Sequence, residues 1–69
     1  MDIYKPSAYV KYGARLVAYG IESWFLPWCW DGVAVWWGAA LPSYDEALAV
    51  AKRYADEPSY RREARKPIG

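Results

Sequence analysis

The stretch that decides the fold is Trp28-Cys29-Trp30-Asp31-Gly32-Val33-Ala34-Val35-Trp36-Trp37. Aromatic and β-branched residues, which favour strands, flank Asp31-Gly32 on both sides. Asp-Gly between two such runs predicts a β-hairpin with a two-residue turn, because both residues tolerate the positive φ angles that this turn needs. The strand pairs expected from this turn are Trp30 with Val33, Trp28 with Val35, and Leu26 with Trp37.

Both faces of the predicted hairpin are apolar, because successive side chains alternate between the two faces of a strand. One face is expected to carry Leu26, Trp28, Trp30, Val33, Val35 and Trp37. The other face is expected to carry Phe25, Cys29, Ala34 and Trp36. Pro27 cannot donate a ladder hydrogen bond, so it indicates an edge or a bulge in its strand.

The segment before the hairpin favours extended structure. Residues 9–22 are rich in Tyr and Val and are interrupted by Gly13 and Gly20. This composition predicts a strand with a bulge or bend at the glycines, preceded by an extended lead-in over residues 1–8. A helix that ends at Gly20 is the alternative.

The clearest helix signal covers residues 43–56. Ser43 is an expected N-cap, and Glu46 stands three residues later, which is the spacing of a capping box. The apolar stripe of this helix is expected to be Ala47, Leu48, Ala51, Tyr54 and Ala55. Beyond Pro58 the chain is basic and is expected to form either a second short helix or a frayed tail.

These elements predict an α+β fold: a two- or three-stranded antiparallel sheet with one helix packed on one face, plus a short C-terminal helix or tail. The chain divides into the lead-in over residues 1–8, a hairpin–helix domain over 9–57 and a basic segment over 58–69. One helix covers only one of two apolar hairpin faces. The uncovered face is therefore expected to meet the N-terminal segment, a second copy of the chain or another partner.

The composition argues against most catalytic and metal chemistry. The 69 residues contain no histidine and one cysteine, Cys29, so neither an internal disulfide nor a zinc-ligand pattern is available. We expect no enzyme activity, no metal and no cofactor, and we interpret Cys29 as a buried small residue rather than a nucleophile. The lone thiol indicates a reducing, cytoplasmic setting. Asp31 interrupts the apolar stretch over residues 24–41, so no transmembrane span is expected.

The five tryptophans and seven tyrosines are typical of protein interfaces as well as of cores. The candidate protein-binding residues are Trp24, Phe25, Trp30, Trp36 and Tyr19. Core packing is preferred for Leu26, Trp28, Val35 and Trp37. Membrane-surface association through exposed tryptophans is a further alternative.

Nucleic-acid binding is disfavoured, because a base-stacking platform also needs a positive groove. No Lys or Arg occurs between Ile21 and Asp45, and the formal net charge is only +1. The candidate contacts to nucleic acid or to an acidic partner are Lys11, Arg15, Arg61, Arg62, Arg65 and Lys66.

Residues 35–51 read Val-Trp-Trp-Gly-Ala-Ala-Leu-Pro-Ser-Tyr-Asp-Glu-Ala-Leu-Ala-Val-Ala and cover about a quarter of the chain. This stretch resembles the last strand and helix of AP2-type and phage-integrase arm-binding domains. The resemblance implies a helix docked on a sheet, with arginines and tryptophans on the free sheet face reading DNA. The matching residues in this chain would be Trp36, Lys11 and Arg15.

In size and style the chain also resembles small accessory proteins of phages and mobile elements, including anti-CRISPR proteins. That resemblance implies a non-enzymatic inhibitor that occupies a surface of a host or cellular protein, and a homodimer is a further expectation.

Overall fold

The structure is a computed structural model of the chain and describes residues 5–65. Its elements are β1 (Ser7–Val17), β2 (Gly20–Trp30), β3 (Val35–Trp37), α1 (Tyr44–Asp56) and α2 (Pro58–Ala64). The strands form one antiparallel sheet in the order β1-β2-β3. α1 packs on β1 and β2, and α2 packs on α1. The α+β prediction is confirmed, with three strands and a short C-terminal helix.

The first two strands form a long hairpin. They pair without interruption from Ser7 opposite Trp30 to Val17 opposite Gly20, so the strand prediction for residues 9–22 is confirmed and the helix alternative is wrong. The sequence did not indicate the turn at residues 18 and 19, where this segment reverses direction. Gly20 follows that turn at φ 144°, in the region that favours glycine.

The predicted bulge at Gly13 is absent, because the register runs through it unbroken. The indole of Trp24 lies over this glycine instead. A Cβ atom at position 13 would fall 2.5 Å from Trp24 Nε1. Glycine is therefore required here by close packing and not by a bend in the strand.

The prediction of a two-residue turn at Asp31-Gly32 is wrong. Residues 31–34 form a longer connection, in which the Asp31 carboxylate accepts hydrogen bonds from the N–H groups of Val33 (2.8 Å) and Ala34 (2.7 Å). Gly32 has φ 91°, whereas Asp31 has no positive φ; the predicted turn needs both. An aspartate that binds the backbone ahead of it favours a looser turn.

This connection shifts the β2–β3 register by two residues from the prediction. The observed pairs are Trp28 with Trp37, Cys29 with Trp36, and Trp30 with Val35. A shift of two leaves each strand side chain on its expected face. Val33 and Ala34 are lost from their predicted faces, because both lie in the connection before β3.

Pro27 lies in the central strand, so the prediction of an edge or a bulge at this proline is wrong. The sheet accommodates this proline because β3 ends at Trp37, next to it. Gly38 then donates its N–H to the Pro27 carbonyl at 2.9 Å. The ladder hydrogen bond that proline cannot make therefore falls where the third strand has already ended.

The predicted helix and its Ser43 N-cap are confirmed, although Glu46 binds the Ser43 hydroxyl and Leu48 of the expected stripe is only half-buried. The Glu46 N–H donates to Ser43 Oγ (3.2 Å), and the Ser43 hydroxyl donates back to the Glu46 carboxylate (2.9 Å). The expected stripe faces the sheet, since Ala47, Ala51, Tyr54 and Ala55 are buried. α2 begins with Pro58 at its first turn, so a second short helix forms in place of a frayed tail over residues 58–64.

Candidate functional site

α1 covers one side of the sheet and leaves the other side open. Trp36 marks the covered side, because its ring stacks on Tyr54 of α1 at 4.0 Å and 12°. Strand alternation and the observed register place the remaining residues. We call the uncovered side the open face; its main residues are Tyr9, Lys11, Gly13, Arg15, Glu22, Trp24, Leu26, Trp28, Trp30, Val35 and Trp37.

A row of stacked aromatic rings crosses the open face, with one ring from each strand. Tyr9 of β1 stacks on Trp28 of β2 at a centroid distance of 4.4 Å and an angle of 22°. Trp28 stacks on Trp37 of β3 at 5.5 Å and 27°. The central ring is therefore flanked on both sides, and the row presents mainly ring edges to solvent.

The open face leaves much of its aromatic surface accessible. The exposed fractions are 43% for Tyr9, 40% for Trp30, 43% for Val35 and 50% for Trp37. The three aromatic side chains alone expose about 300 Å², taking roughly 230 Å² for each. The largest apolar patch on a soluble domain is commonly of about this size and is often functional.

Side-chain size explains which face the helix covers. On the covered side, the Cys29 thiol donates a hydrogen bond to the Ala51 carbonyl at 3.2 Å. A helix backbone can come this close to a sheet only where both surfaces carry small side chains. Ala8 and Ala55 belong to the same packed cluster, and the face with four tryptophans is left outside.

Charges on the open face are few. Arg15 forms an ion pair with Glu22 across the β1–β2 hairpin, with 2.6 Å between Nε and Oε1. Lys11 is exposed in the same row of β1 side chains. The aromatic row is thus bordered by one cation that makes no ion pair among the described residues.

The predicted protein-binding residues do not form one cluster. Trp24 and Trp30 lie on the open face, while Phe25 and Trp36 lie on the covered side. Phe25 packs edge-on to Tyr44 of α1 at 6.3 Å. Tyr19 lies in the β1–β2 turn and is 86% exposed.

The sequence analysis preferred core packing for Val35 and Trp37, and this prediction is wrong. Both side chains are about half exposed on the open face. The sequence analysis also missed Tyr9. The signal that could have found this face is the uneven number of tryptophans: four lie on the open face and only Trp36 lies on the covered face. Trp36 cannot play the DNA-reading role that the family resemblance implied, because it lies under α1.

The predicted basic contacts are dispersed. Arg61 uses one guanidinium nitrogen to bind the carbonyls of Tyr54 (2.7 Å) and Ala55 (3.0 Å), so it caps the end of α1. Arg65 lies 3.8 Å from the Asp31 carboxylate. Arg62 is exposed on α2, and Lys66 lies outside the described residues. Arg61 and Arg65 therefore do not join Lys11 and Arg15 on the open face.

The described residues offer little reactive chemistry. Cys29 is 1% exposed, and burial raises the pKa of its thiol while the nearby Arg61 charge partly opposes that shift. The interpretation of Cys29 as a buried small residue is confirmed. Residues 5–65 hold no group of three or more His, Cys, Asp or Glu side chains placed to bind a metal. Within the same range, no helix has the length and apolar content needed to cross a bilayer.

Comparison with protein-family profiles, curated proteins and solved structures finds no match to this chain. The open face, the exposed hairpin turn and the fold itself are therefore the basis for a functional proposal.

Proposed function

We propose that this protein is a non-enzymatic binding module that holds another protein on its open face and acts by occupying that partner's surface. The observation that carries the proposal is the exposed aromatic row of Tyr9, Trp28 and Trp37 on the side of the sheet that no helix covers. Trp and Tyr are the residues most often found at the energetic centre of protein interfaces.

The geometry of the row favours a protein over a stacked ligand. A base or a sugar needs a free ring face against which to stack. Both faces of Trp28 are occupied by neighbouring rings, so only the two ends of the row have free faces. Ring edges and the flanking Leu26 and Val35 form an uneven apolar surface of the kind that packs against protein side chains.

Nucleic acid is the weaker candidate on electrostatic grounds. A backbone-tracking groove would need several cations beside the rings. On the open face Arg15 is already paired with Glu22, which leaves Lys11 as the one cation without an ion pair among the described residues of this face. Arg61 binds the end of α1 and Arg65 lies near Asp31 in the β2–β3 connection, so neither adds a cation to the open face.

The test is quantitative capture from lysate by the tagged full chain, with and without nuclease. The open-face variants are Trp37→Ser and Trp30→Ser, and the matched controls are Tyr19→Ser and Tyr44→Ser. All four positions are at least 40% exposed, and circular dichroism checks that each variant folds. Loss of one central aromatic residue is expected to weaken capture of a stoichiometric protein by about thirtyfold or more, while the controls retain it.

Two outcomes would contradict the proposal. Capture that disappears with nuclease would assign the surface to nucleic acid. Capture that depends on Tyr19 and not on Trp37 would assign binding to the hairpin turn. Liposomes of mixed anionic and neutral lipid serve as a third arm, because retention on them would indicate a membrane surface as the target.

A further inference from the structure

The outer edge of β1 carries unpaired backbone groups. Phe25 exchanges both of its backbone hydrogen bonds with Leu41, each at 2.8 Å, so its N–H and C=O point away from β1. Tyr12, directly opposite Phe25, therefore points its own N–H and C=O outward. By alternation the same holds for Ala8, Val10, Ala14 and Leu16. No strand of residues 5–65 pairs with this edge.

We propose that β1 pairs antiparallel with β1 of a second copy of this chain, with Tyr12 opposite Tyr12 of the second copy. The two three-stranded sheets then join into one continuous six-stranded sheet. A long, straight edge strand is a ready template for such pairing. β1 is 11 residues long and has no proline within it.

The charges of Lys11 and Arg15 favour pairing centred on Tyr12 over pairing centred on Gly13 or on Lys11. Centring the pair on Gly13 sets Lys11 opposite Arg15 of the second copy, and centring it on Lys11 sets two lysines opposite each other. Like charges placed directly opposite are destabilising. Centring on Tyr12 sets Lys11 opposite glycine and Arg15 opposite Tyr9, where a guanidinium and an aromatic ring attract each other. This register also pairs the whole strand, Ser7–Val17, with itself.

An open cavity lies where a largely exposed leucine of the partner would fall. Leu16 is 83% exposed, lies on the covered side of the sheet beyond the reach of α1, and stands opposite Ala8 in this register. Ala8 lines an open cavity of about 560 Å³ between the start of β1 and the end of α1, with Pro6 and Ala55 as its other apolar walls. Leu16 of each copy would therefore lie against the apolar part of the other copy's cavity, while Lys5, Ser7, Lys52 and Asp56 line the rest.

Pairing at the β1 edge leaves the open faces of both copies free, so this inference goes beyond the proposed function and does not depend on it.

The first test measures the mass of the full chain in solution by light scattering and sedimentation over a range of concentrations. The wild-type protein is expected to be a dimer. Ala14→Pro removes an outward N–H that the isolated chain does not use, and prolines are tolerated at sheet edges, so this variant is expected to fold as a monomer. Ala14→Ser keeps the N–H and is expected to remain a dimer.

The second test separates edge pairing from other dimers. Leu16→Ala empties the cavity contact and is expected to weaken dimerisation at least about tenfold. Ile21→Ala is the matched control, because Ile21 lies directly opposite Leu16 within the hairpin and is 68% exposed, yet belongs to β2. This control is expected to dimerise like the wild type.

The third test fixes the register by disulfide formation under mild oxidation. Tyr12→Cys is expected to cross-link two copies, while Ala14→Cys is not, because its copies lie farther apart than the roughly 7 Å limit between Cα atoms. The native Cys29 is buried and does not compete. A wild-type protein that stays monomeric at millimolar concentration would overturn the proposal. A dimer that survives Ala14→Pro and fails to cross-link at position 12 would also overturn it.

Discussion

Replacing Tyr54 by phenylalanine is expected to make the protein more stable, although Tyr54 is a core residue. Tyr54 is 2% exposed, and its ring stacks on Trp36 at 4.0 Å. Its hydroxyl is buried and has no hydrogen-bond partner among the described residues. A buried polar group without a partner costs about 1–3 kcal/mol relative to its hydrated state. Phenylalanine keeps the stacked ring and removes that cost.

We expect the Tyr54→Phe variant to gain about 1 kcal/mol in the free energy of unfolding, the lower end of that range. For a domain of this size the gain corresponds to a rise of about 4–8 °C in Tm. The assay is thermal and urea unfolding followed by circular dichroism, at one protein concentration because self-association would change the apparent stability. Tyr19→Phe, at an 86% exposed site, is the control and should change stability by less than about 0.5 kcal/mol. A loss of 1 kcal/mol or more in Tyr54→Phe would show that the hydroxyl makes a stabilising contact and would refute the reasoning.

Three further substitutions test the local structure. Gly13→Ala places a Cβ 2.5 Å from the Trp24 indole and should cost about 1–3 kcal/mol with a shifted tryptophan emission spectrum; an unchanged spectrum would contradict the packing. Ser43→Ala removes the N-cap of α1 and should cost about 1 kcal/mol in urea unfolding. Backbone hydrogen bonds hold the pKa of the Asp31 carboxyl below its ordinary range, so its stabilising effect is present at neutral pH and lost as pH falls below about 4. Asp31→Asn should therefore differ most from the wild type at pH 7 and least at pH 3 in urea unfolding, and a constant difference would contradict this assignment.

The helix and the strand faces could be predicted because local physics determines them. The capping box at Ser43 and the alanine stripe of α1 depend on residues within a few positions of each other. Side-chain alternation fixed the membership of the two hairpin faces even though the register was wrong. A register shift of two residues leaves every paired side chain on the same face, because side chains in a strand alternate with a period of two. The alternation pattern therefore cannot reveal such a shift.

The connection at residues 31–34 and the turn at 18 and 19 could not be predicted for different reasons. Asp31-Gly32 fits both a two-residue turn and the longer connection, and the deciding hydrogen bonds from Asp31 to the backbone form only in the folded chain. Ala18 and Tyr19 are not typical turn residues. They reverse the chain because the two flanking strands pair along eleven residues each, which is a tertiary effect.

The choice of covered face was the part of the site that sequence reasoning missed. Both faces of the hairpin are apolar, and hydrophobicity alone does not rank them. The approach of Ala51 to Cys29 requires small side chains, which only one of the faces supplies. That requirement placed Trp37 and Val35 in solvent and brought Trp36 under the helix.

The central claim is that the open face is the binding surface, and hydroxyl-radical footprinting of the captured complex tests it most directly. The rates of oxidation of Trp30, Trp37 and Tyr9 would be compared in the free and the bound protein, with Tyr19 and Tyr44 as internal references. Our account predicts strong protection of the three open-face side chains and unchanged rates at the two references. Protection confined to Tyr19 and Tyr44, with the open-face side chains still oxidised at their free rates, would contradict it.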